Sequence, residues 1–211
     1  MPASRRRVTH TEATQVLRRR DPVIDALAEL HGPMRLPPRA PASGRFERTA
    51  RSIAYQQLGG AAAATIWGRT RALVPGPFEP AGVLALDDAA LRGAGLSGAK
   101  VAALRDLALK VDTGEVRLDR LGHLDDEAVV TELTKVRGIG PWSAHMVLLF
   151  DLRRLDVWPT GDFGVRNGYH LAYSLPEMPA PKVLDGLGDV FRPYRSIAAW
   201  YCWRATEALP G

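Results

Sequence analysis

The sequence predicts an all-α fold. Three observations carry that expectation. Apolar residues recur at helical spacing between short Gly- or Pro-containing breaks, helix-start residues stand ahead of several of these segments, and no run sustains period-2 alternation of β-branched residues.

Taken in order, DPVIDALAELHG reads as a helix with Asp21 as N-cap, Pro22 in the first turn, Val23, Leu27 and Leu30 on one face, and Gly32 as the stop. MRLPPRAPASG, residues 34–44, is a Pro-rich connector. A second helix runs from Arg45 toward Gln57 with Phe46, Ala50, Ile53 and Ala54 on one face, and Gly59-Gly60 separates it from the helical AAAATIWGRTRALV. PGPFEPAG reads as a loop, and Asp87-Asp88 supplies a cap for LDDAALRGAG. Two short helices are expected around GLSGAK and VAALRDLALKV. DDEAVVTELTKV is an amphipathic helix whose first-turn acids suit the helix dipole. PWSAHMVLLFDL is the next helix. Beyond the irregular WPTGD come FGVRNGYHLAY and then, past SLPEMPAPK, two last helices around VLDGLGDVF and SIAAWYCWRATEAL. The expectation is nine or ten short helices.

Length and charge narrow the class further. A chain of 211 residues buries about 70% of its unfolded surface, so most of it is expected to fold. The formal net charge is +5, but it is unevenly placed. Arg5, Arg6, Arg7, Arg18, Arg19 and Arg20 face only Glu12 among the first twenty residues, whereas the remaining 191 carry 22 basic and 22 acidic side chains. Residues 1–20 therefore read as a basic N-terminal arm, and a charge argument for nucleic-acid binding stops there. One cysteine, Cys202, excludes an intramolecular disulfide and a four-cysteine zinc or iron–sulfur site. No stretch of 18 apolar residues suggests a membrane span, and the start lacks the apolar run of a secretory signal. The expected location is the cytoplasm of a prokaryote or the nucleus of a eukaryote. His10, His31, His123, His145 and His170 are too scattered for metal-ligand spacing. Lys135, Arg137, Arg153, Arg154 and Arg166 against Asp151, Asp156 and Asp162 leave residues 133–170 locally basic by two charges, a weak sign of a backbone-contacting face.

The most informative stretch is VRGIGPW, residues 136–142. Gly138 and Gly140 allow a sharp turn with positive φ, and Pro141 suits the first position of a new helix. The N–H groups of Gly140, Trp142 and Ser143 would then point out of a helix N-terminus, an arrangement that holds a phosphate without any excess of lysine or arginine. Read alone, the same grammar serves equally as an αα-corner with no ligand.

LTKVRGIGPWSAHMVLLF, from Leu133, resembles the helix–hairpin–helix of the base-excision DNA glycosylases, and WPTGDFGVRNGY, residues 158–169, resembles their Gly/Pro-rich loop ending in aspartate. RSIAYQQLGGAAAATI (51–66), GLSGAKVAALRDLA (95–108) and RPYRSIAAWYCWR (192–204) are similar to further recurring segments of that superfamily, so the resemblance covers about residues 21–209. Within the superfamily the alkylbase branch, the 3-methyladenine DNA glycosylase II type, is the nearest, in a compact form without the N-terminal β-rich domain of larger members. The resemblance implies a two-lobed helical domain over 21–211, with lobe one at 46–154, lobe two at 21–45 plus 155–211, and the active site in the cleft between them. It implies double-stranded DNA with a damaged base as partner, a monomer, and no membrane.

The resemblance also assigns roles. Asp162 falls at the catalytic aspartate, where a carboxylate stabilises the positive charge that builds on the sugar and orients or deprotonates water. On its own residue type, Asp162 reads as an N-cap for the following helix, and the two roles are compatible. Bifunctional relatives carry a lysine where this chain has Trp142, so no amine nucleophile is expected and the reading is a monofunctional enzyme. Iron–sulfur relatives need cysteines that are absent. An alkylated purine is already cationic, so an electron-rich pocket is expected, lined by Trp142 and Trp203 with Tyr55 and Tyr169 as additions. Trp67, Trp158 and Trp200 read as core. Gln57 falls at the wedge that fills the gap left by a flipped nucleotide, with Leu58 next to it. DNA contact is expected at Gly138, Ile139, Gly140, Trp142 and Ser143. A monovalent cation, sodium or potassium, is implied on the main-chain carbonyls of Thr134, Val136 and Gly138, with no catalytic cofactor. Rival expectations are uracil, hypoxanthine or mismatched thymine as substrate on the same scaffold, or a damage-binding module without chemistry.

Overall fold

A computed structural model of the chain describes residues 8–37 and 40–207. Arg5, Arg6 and Arg7 of the expected arm, Pro38 and Arg39 of the connector, and residues 208–209 of the last expected helix lie outside the described residues. Those residues contain twelve α-helices and no β-strand. They fall into two compact units, Met1–Pro38 with Arg153–Gly211, and Arg39–Leu152.

The first unit holds α1 (His10–Arg18), α2 (Pro22–His31), α10 (Phe163–Ala172), α11 (Pro181–Leu187) and α12 (Arg195–Ala205). Asp21 caps α2 as expected, its carboxylate accepting the Ile24 N–H at 2.9 Å, with Pro22 in the first turn and Gly32 at the end. The expectation of an arm over residues 1–20 is corrected. Residues 10–18 are a helix whose N-terminus is closed by a Thr9/Glu12 capping box. Ala13 and Leu17 are fully buried in the core with Ile24, Tyr201 and Phe191. Arg18 is tied to Asp25 at 2.5 Å, and Arg20 donates to the Arg192 carbonyl. The arginines dominate the composition of this segment and hide the single i, i+4 apolar pair that docks it.

Two helices of this unit approach so closely that a side chain is excluded. A Cβ on Gly168 of α10 would lie 1.7 Å from the Cys202 carbonyl oxygen and 2.4 Å from its carbon, both backbone atoms of α12. Glycine is required here for close approach, not for an unusual dihedral. Gly168→Ala should therefore force the two helices apart and destabilise the unit by about 3 kcal/mol, at the upper end of ordinary overpacking costs. A urea-unfolding midpoint unchanged from wild type would contradict this crossing.

The second unit contains α3 (Arg45–Tyr55), α4 (Gly60–Ala72), α5 (Pro80–Leu84), α6 (Asp88–Gly93), α7 (Gly98–Asp112), α8 (Asp126–Thr134) and α9 (Pro141–Met146), the last running on into a π-helical turn over Val147–Leu152. Its core is apolar: Phe46, Ile53, Leu104, Leu107, Leu121, Leu133 and Leu148 are all buried. Asp87 and Asp125 cap α6 and α8 through their carboxylates. The two helices expected around GLSGAK and VAALRDLALKV are one, because Ser97 caps the segment at the Lys100 N–H and the chain continues helical to Asp112. Part of the expected PGPFEPAG loop is the short helix α5, started by Pro80 and anchored by buried Val83.

The unit break also differs from the expected lobes. Residues 40–45, assigned to lobe two, belong with α3 in the second unit, and Arg153 and Arg154, assigned to lobe one, belong to the first. Arg45 is tied to the second unit by a buried ion pair. The Arg45 side chain is 4% exposed and its Nε lies 2.5 Å from Asp151 Oδ2, while Nη1 donates to the Leu118 carbonyl. Arg48 reaches the other Asp151 oxygen at 2.7 Å. No helix among the described residues is long and apolar enough to cross a membrane.

Candidate active site

In the first unit the chemistry gathers around Asp162. The loop before it is tightened by Thr160 N–H to Trp158 O and Asp162 N–H to Pro159 O, both at 2.9 Å. Asp162 is then the N-cap of α10, and it is 8% exposed. Its Oδ1 accepts two hydrogen bonds, from the Val165 N–H at 2.8 Å and from the Trp203 indole Nε1 at 2.8 Å. Two donors on one oxygen, from α10 and α12, fix the plane of the carboxylate. Gly164 makes room for this: a Cβ there would stand 2.7 Å from Trp203 Cδ1 and 3.2 Å from Asp162 Oδ1. The Gly168 crossing is what brings α12, and with it Trp203, within reach of the cap. A sequence-level reading missed the indole–carboxylate bond because it joins residues 41 positions apart; the glycines at 164 and 168 are its only local trace.

The aromatic residues sort differently from the expectation. Tyr169, expected in the base pocket, is 6% exposed and belongs to the core, stacked on Tyr173 with ring centroids 4.3 Å apart. Burial pushes its phenol up to about 12, so it stays protonated. Trp158 is buried as expected and donates Nε1 to the Leu184 carbonyl at 2.8 Å. Trp200 packs edge-on against Tyr201 with Arg204 over its face. Cys202 is buried beside this region, and burial, followed by the nearby Asp162 charge, pushes its thiol up. It is a packed apolar residue and not a nucleophile. Phe163, not singled out from the sequence, is 67% exposed immediately after Asp162.

The second unit carries the hairpin. Ile139 N–H closes it onto Val136 O at 3.1 Å, and Gly138 sits at φ +77. Of the two hairpin glycines, Gly138 alone has positive φ. Gly140 is extended (φ −97, ψ 178) and serves as the N-cap of α9, with Pro141 in the first turn and no side-chain cap. Within the stretch expected at the DNA, the Ile139 side chain is 5% exposed and packs inward. Trp142 is 47% exposed. Side chains of α7 hold the loop, with Asp106 Oδ2 accepting the Arg137 N–H at 2.7 Å and Lys110 Nζ donating to the Lys135 carbonyl at 2.6 Å.

Ahead of α4, Gln57 adopts φ +56 at an exposed turn, next to Leu58 at 39% exposure. Tyr55 is half-buried and covered by Arg51, whose guanidinium lies 4.6 Å from the ring centroid and bonds the phenol oxygen. Gln56, not predicted, donates Nε2 to the Gly138 carbonyl at 3.0 Å and toward Ser143 Oγ at 3.4 Å. Of the carbonyls expected to hold a cation, Val136 O accepts the Ile139 N–H and Gly138 O accepts the Gln56 amide; a carbonyl oxygen has two lone pairs, so such a bond does not by itself exclude an ion. No group of three His, Cys, Asp or Glu among the described residues could hold a metal.

A helix–hairpin–helix, together with a Gly-Asp loop whose aspartate caps a further helix, defines the helix–hairpin–helix DNA glycosylase class. No protein-family model matches the chain. Among known proteins, DNA-3-methyladenine glycosylase 1 of Schizosaccharomyces pombe is 32% identical over 165 residues, which cover 77% of this chain and 72% of that one. A solved structure of S. pombe 3-methyladenine DNA glycosylase in complex with abasic DNA matches with a TM-score of 0.83 at 30% identity, over 94% of this chain and 97% of the other. DNA-3-methyladenine glycosidase of Bacillus halodurans matches with a TM-score of 0.80 at 32% identity, over 92% and 88% of the two chains. The chain belongs to the 3-methyladenine DNA glycosylase family of helix–hairpin–helix proteins.

Proposed function

We propose that the chain acts as a monomeric, monofunctional DNA glycosylase, releasing alkylated cationic purines such as 3-methyladenine from duplex DNA and leaving an abasic site. The observation that carries this reading is the Asp162 carboxylate, held in one orientation by Val165 N–H and Trp203 Nε1.

In the reaction the bond between C1′ and the base nitrogen breaks, and its electron pair leaves with the base. An alkylated purine departs neutral because it starts as a cation, so it needs no proton from the enzyme. The sugar is left with oxocarbenium character, and the fixed Asp162 charge stabilises it. Water adds to C1′ and gives its proton to the carboxylate. Trp203 contributes an N–H to the carboxylate and an aromatic face. Attraction of a cation to such a face is worth about 0.5–2 kcal/mol, and exposed Trp142 of the second unit is a further candidate for that role. Trp142 also stands where a strand-cleaving relative would carry its lysine, so no covalent sugar adduct forms.

The hairpin serves backbone contact through Gly138, Gly140 and Ser143. A monovalent cation on the carbonyls of Thr134, Val136 and Gly138 would add positive charge beside a phosphate, a role separate from the bond-breaking step. Gln57 and Leu58 fill the space left by the extruded nucleotide.

Randomly methylated duplex DNA and duplexes containing uracil or hypoxanthine test the reading. Chromatography of the released bases should show 3-methyladenine and no uracil, and borohydride should trap no protein–DNA adduct. Release of uracil without methylated purines would move the enzyme to the deaminated-base specificity, and a trapped adduct would sink the monofunctional mechanism.

A further inference from the structure

The turn between α3 and α4 is held more firmly than an exposed loop requires. α3 ends at Tyr55, Gln56 leaves helical conformation (φ −52, ψ 134), and Gln57 enters the left-handed region at φ +56. Leu58 N–H returns to the Tyr55 carbonyl at 3.4 Å, and Gly59 begins α4. A non-glycine residue persists at positive φ where surrounding contacts over-determine it. Two such contacts flank the tip. Lys100 Nζ binds the Ala54 carbonyl at 2.8 Å and fixes the end of α3. The Gln56 amide binds the Gly138 carbonyl and reaches Ser143 Oγ. A carbonyl only accepts, so the amide nitrogen must be the end that faces the hairpin. Gly138 is the left-handed residue of the hairpin and Ser143 lies in the first turn of α9, so one side chain touches both arms of the hairpin.

The geometry points to Gln56 as a positioning residue that couples the hairpin to the Gln57–Leu58 tip. The hairpin's hold on the DNA backbone and the filling of the gap by the tip are thereby kept in one register. The inference rests on the glycosylase reading. A flipped nucleotide leaves a gap at a fixed offset from the phosphates that are gripped, and a tip displaced by an ångström fills it poorly. Gln56 itself touches neither the base nor the sugar in this account; it acts through Gln57.

Full-length wild type, Gln56→Ala, Gln56→Glu, Gln57→Ala and the Gln56→Ala/Gln57→Ala double variant distinguish the possibilities, with thermal unfolding confirming that each is folded. Three quantities are measured: affinity for an unmodified duplex, the fluorescence change of 2-aminopurine opposite an abasic-site analogue, and the single-turnover release of 7-methylguanine at saturating enzyme. Gln56→Ala should lower the saturated rate by about tenfold or more and suppress the fluorescence change, while affinity stays within about threefold. Gln56→Glu, nearly the same shape but an acceptor, should match it. The double variant should be no worse than the more impaired single variant, because one pathway is lost once. A loss confined to affinity, an unaltered rate in either Gln56 variant, or effects of the two positions that multiply would overturn the coupling. Wild type that releases no methylated purine would instead overturn the glycosylase reading, and the fluorescence arm, which needs no catalysis, would still decide the role of Gln56.

Discussion

Asp162→Asn should remove base excision almost entirely, lowering the saturated single-turnover rate by about 10³-fold or more, while leaving the protein as stable as wild type. The two halves of that result come from two functions of one side chain. As N-cap of α10, Asp162 needs only an oxygen that accepts the Val165 N–H, and asparagine caps a helix as well as aspartate does. The asparagine oxygen can also keep the Trp203 indole bond, so α12 stays where it is. What disappears is the charge. An amide neither stabilises an oxocarbenium-like sugar to the same degree nor accepts a proton from water. Asp162→Ala makes the contrast: it should lose the same activity and also about 1 kcal/mol of cap energy, visible as a lower unfolding midpoint.

Trp203→Phe isolates the second donor. It keeps an aromatic face but deletes a hydrogen bond to a charged oxygen, and a ten- to hundredfold rate loss follows from the roughly 1.5–3 kcal/mol such bonds contribute. Wild-type excision by Asp162→Asn would remove Asp162 from the mechanism and return it to a purely structural cap.

What was legible in the chain follows the range of the interactions. Caps are local, and Asp21, Asp87 and Asp162 were each readable because the cap and its helix lie within four residues. The hairpin was readable for the same reason, although only one of its two glycines needs the left-handed region. α1 was not, because a single buried pair, Ala13 and Leu17, docks a segment otherwise rich in arginine and polar residues. Residue type alone also misplaced Tyr169: an aromatic residue on an amphipathic helix fits a pocket or a core equally, and the stacking on Tyr173 decides for the core. The polar links that organise the candidate site are long-range. Trp203 to Asp162, Gln56 to Gly138 and Arg45 to Asp151 span 41, 82 and 106 positions, and no periodicity in a single sequence reports them. Gln56 and Gln57 are adjacent and chemically identical, and only the backbone turn between them sends one to the hairpin and the other to solvent.

Asp151→Ala should strongly destabilise the second unit, by about 3–5 kcal/mol. Asp151 sits in the π-helical turn that extends α9, and its side chain is 11% exposed. It neutralises Arg45, which is more deeply buried still and which also donates to the Leu118 carbonyl. Removing the carboxylate leaves a guanidinium that cannot shed its charge, in a position where water reaches little of it. The cost is the desolvation of that cation and not merely a lost contact.

Arg48 provides the internal comparison. It binds the same carboxylate at 2.7 Å, but it is 32% exposed, so water replaces its partner and Arg48→Ala should cost about 1 kcal/mol or less. The difference between the two variants, read as shifts in urea midpoint at constant slope, therefore measures burial more than ion-pair geometry. The effect should also reach the candidate site. Arg45 and Arg48 lie on α3, whose far end carries the Gln56–Leu58 turn, so a loosened α3 should lower the fraction of molecules in which Gln56 reaches Gly138. Asp151→Ala should for that reason reduce excision at temperatures well below its own unfolding midpoint. A stability within about 1 kcal/mol of wild type would mean that Arg45 finds water or another acceptor, and that the ion pair does not hold α3 against the helix behind the hairpin.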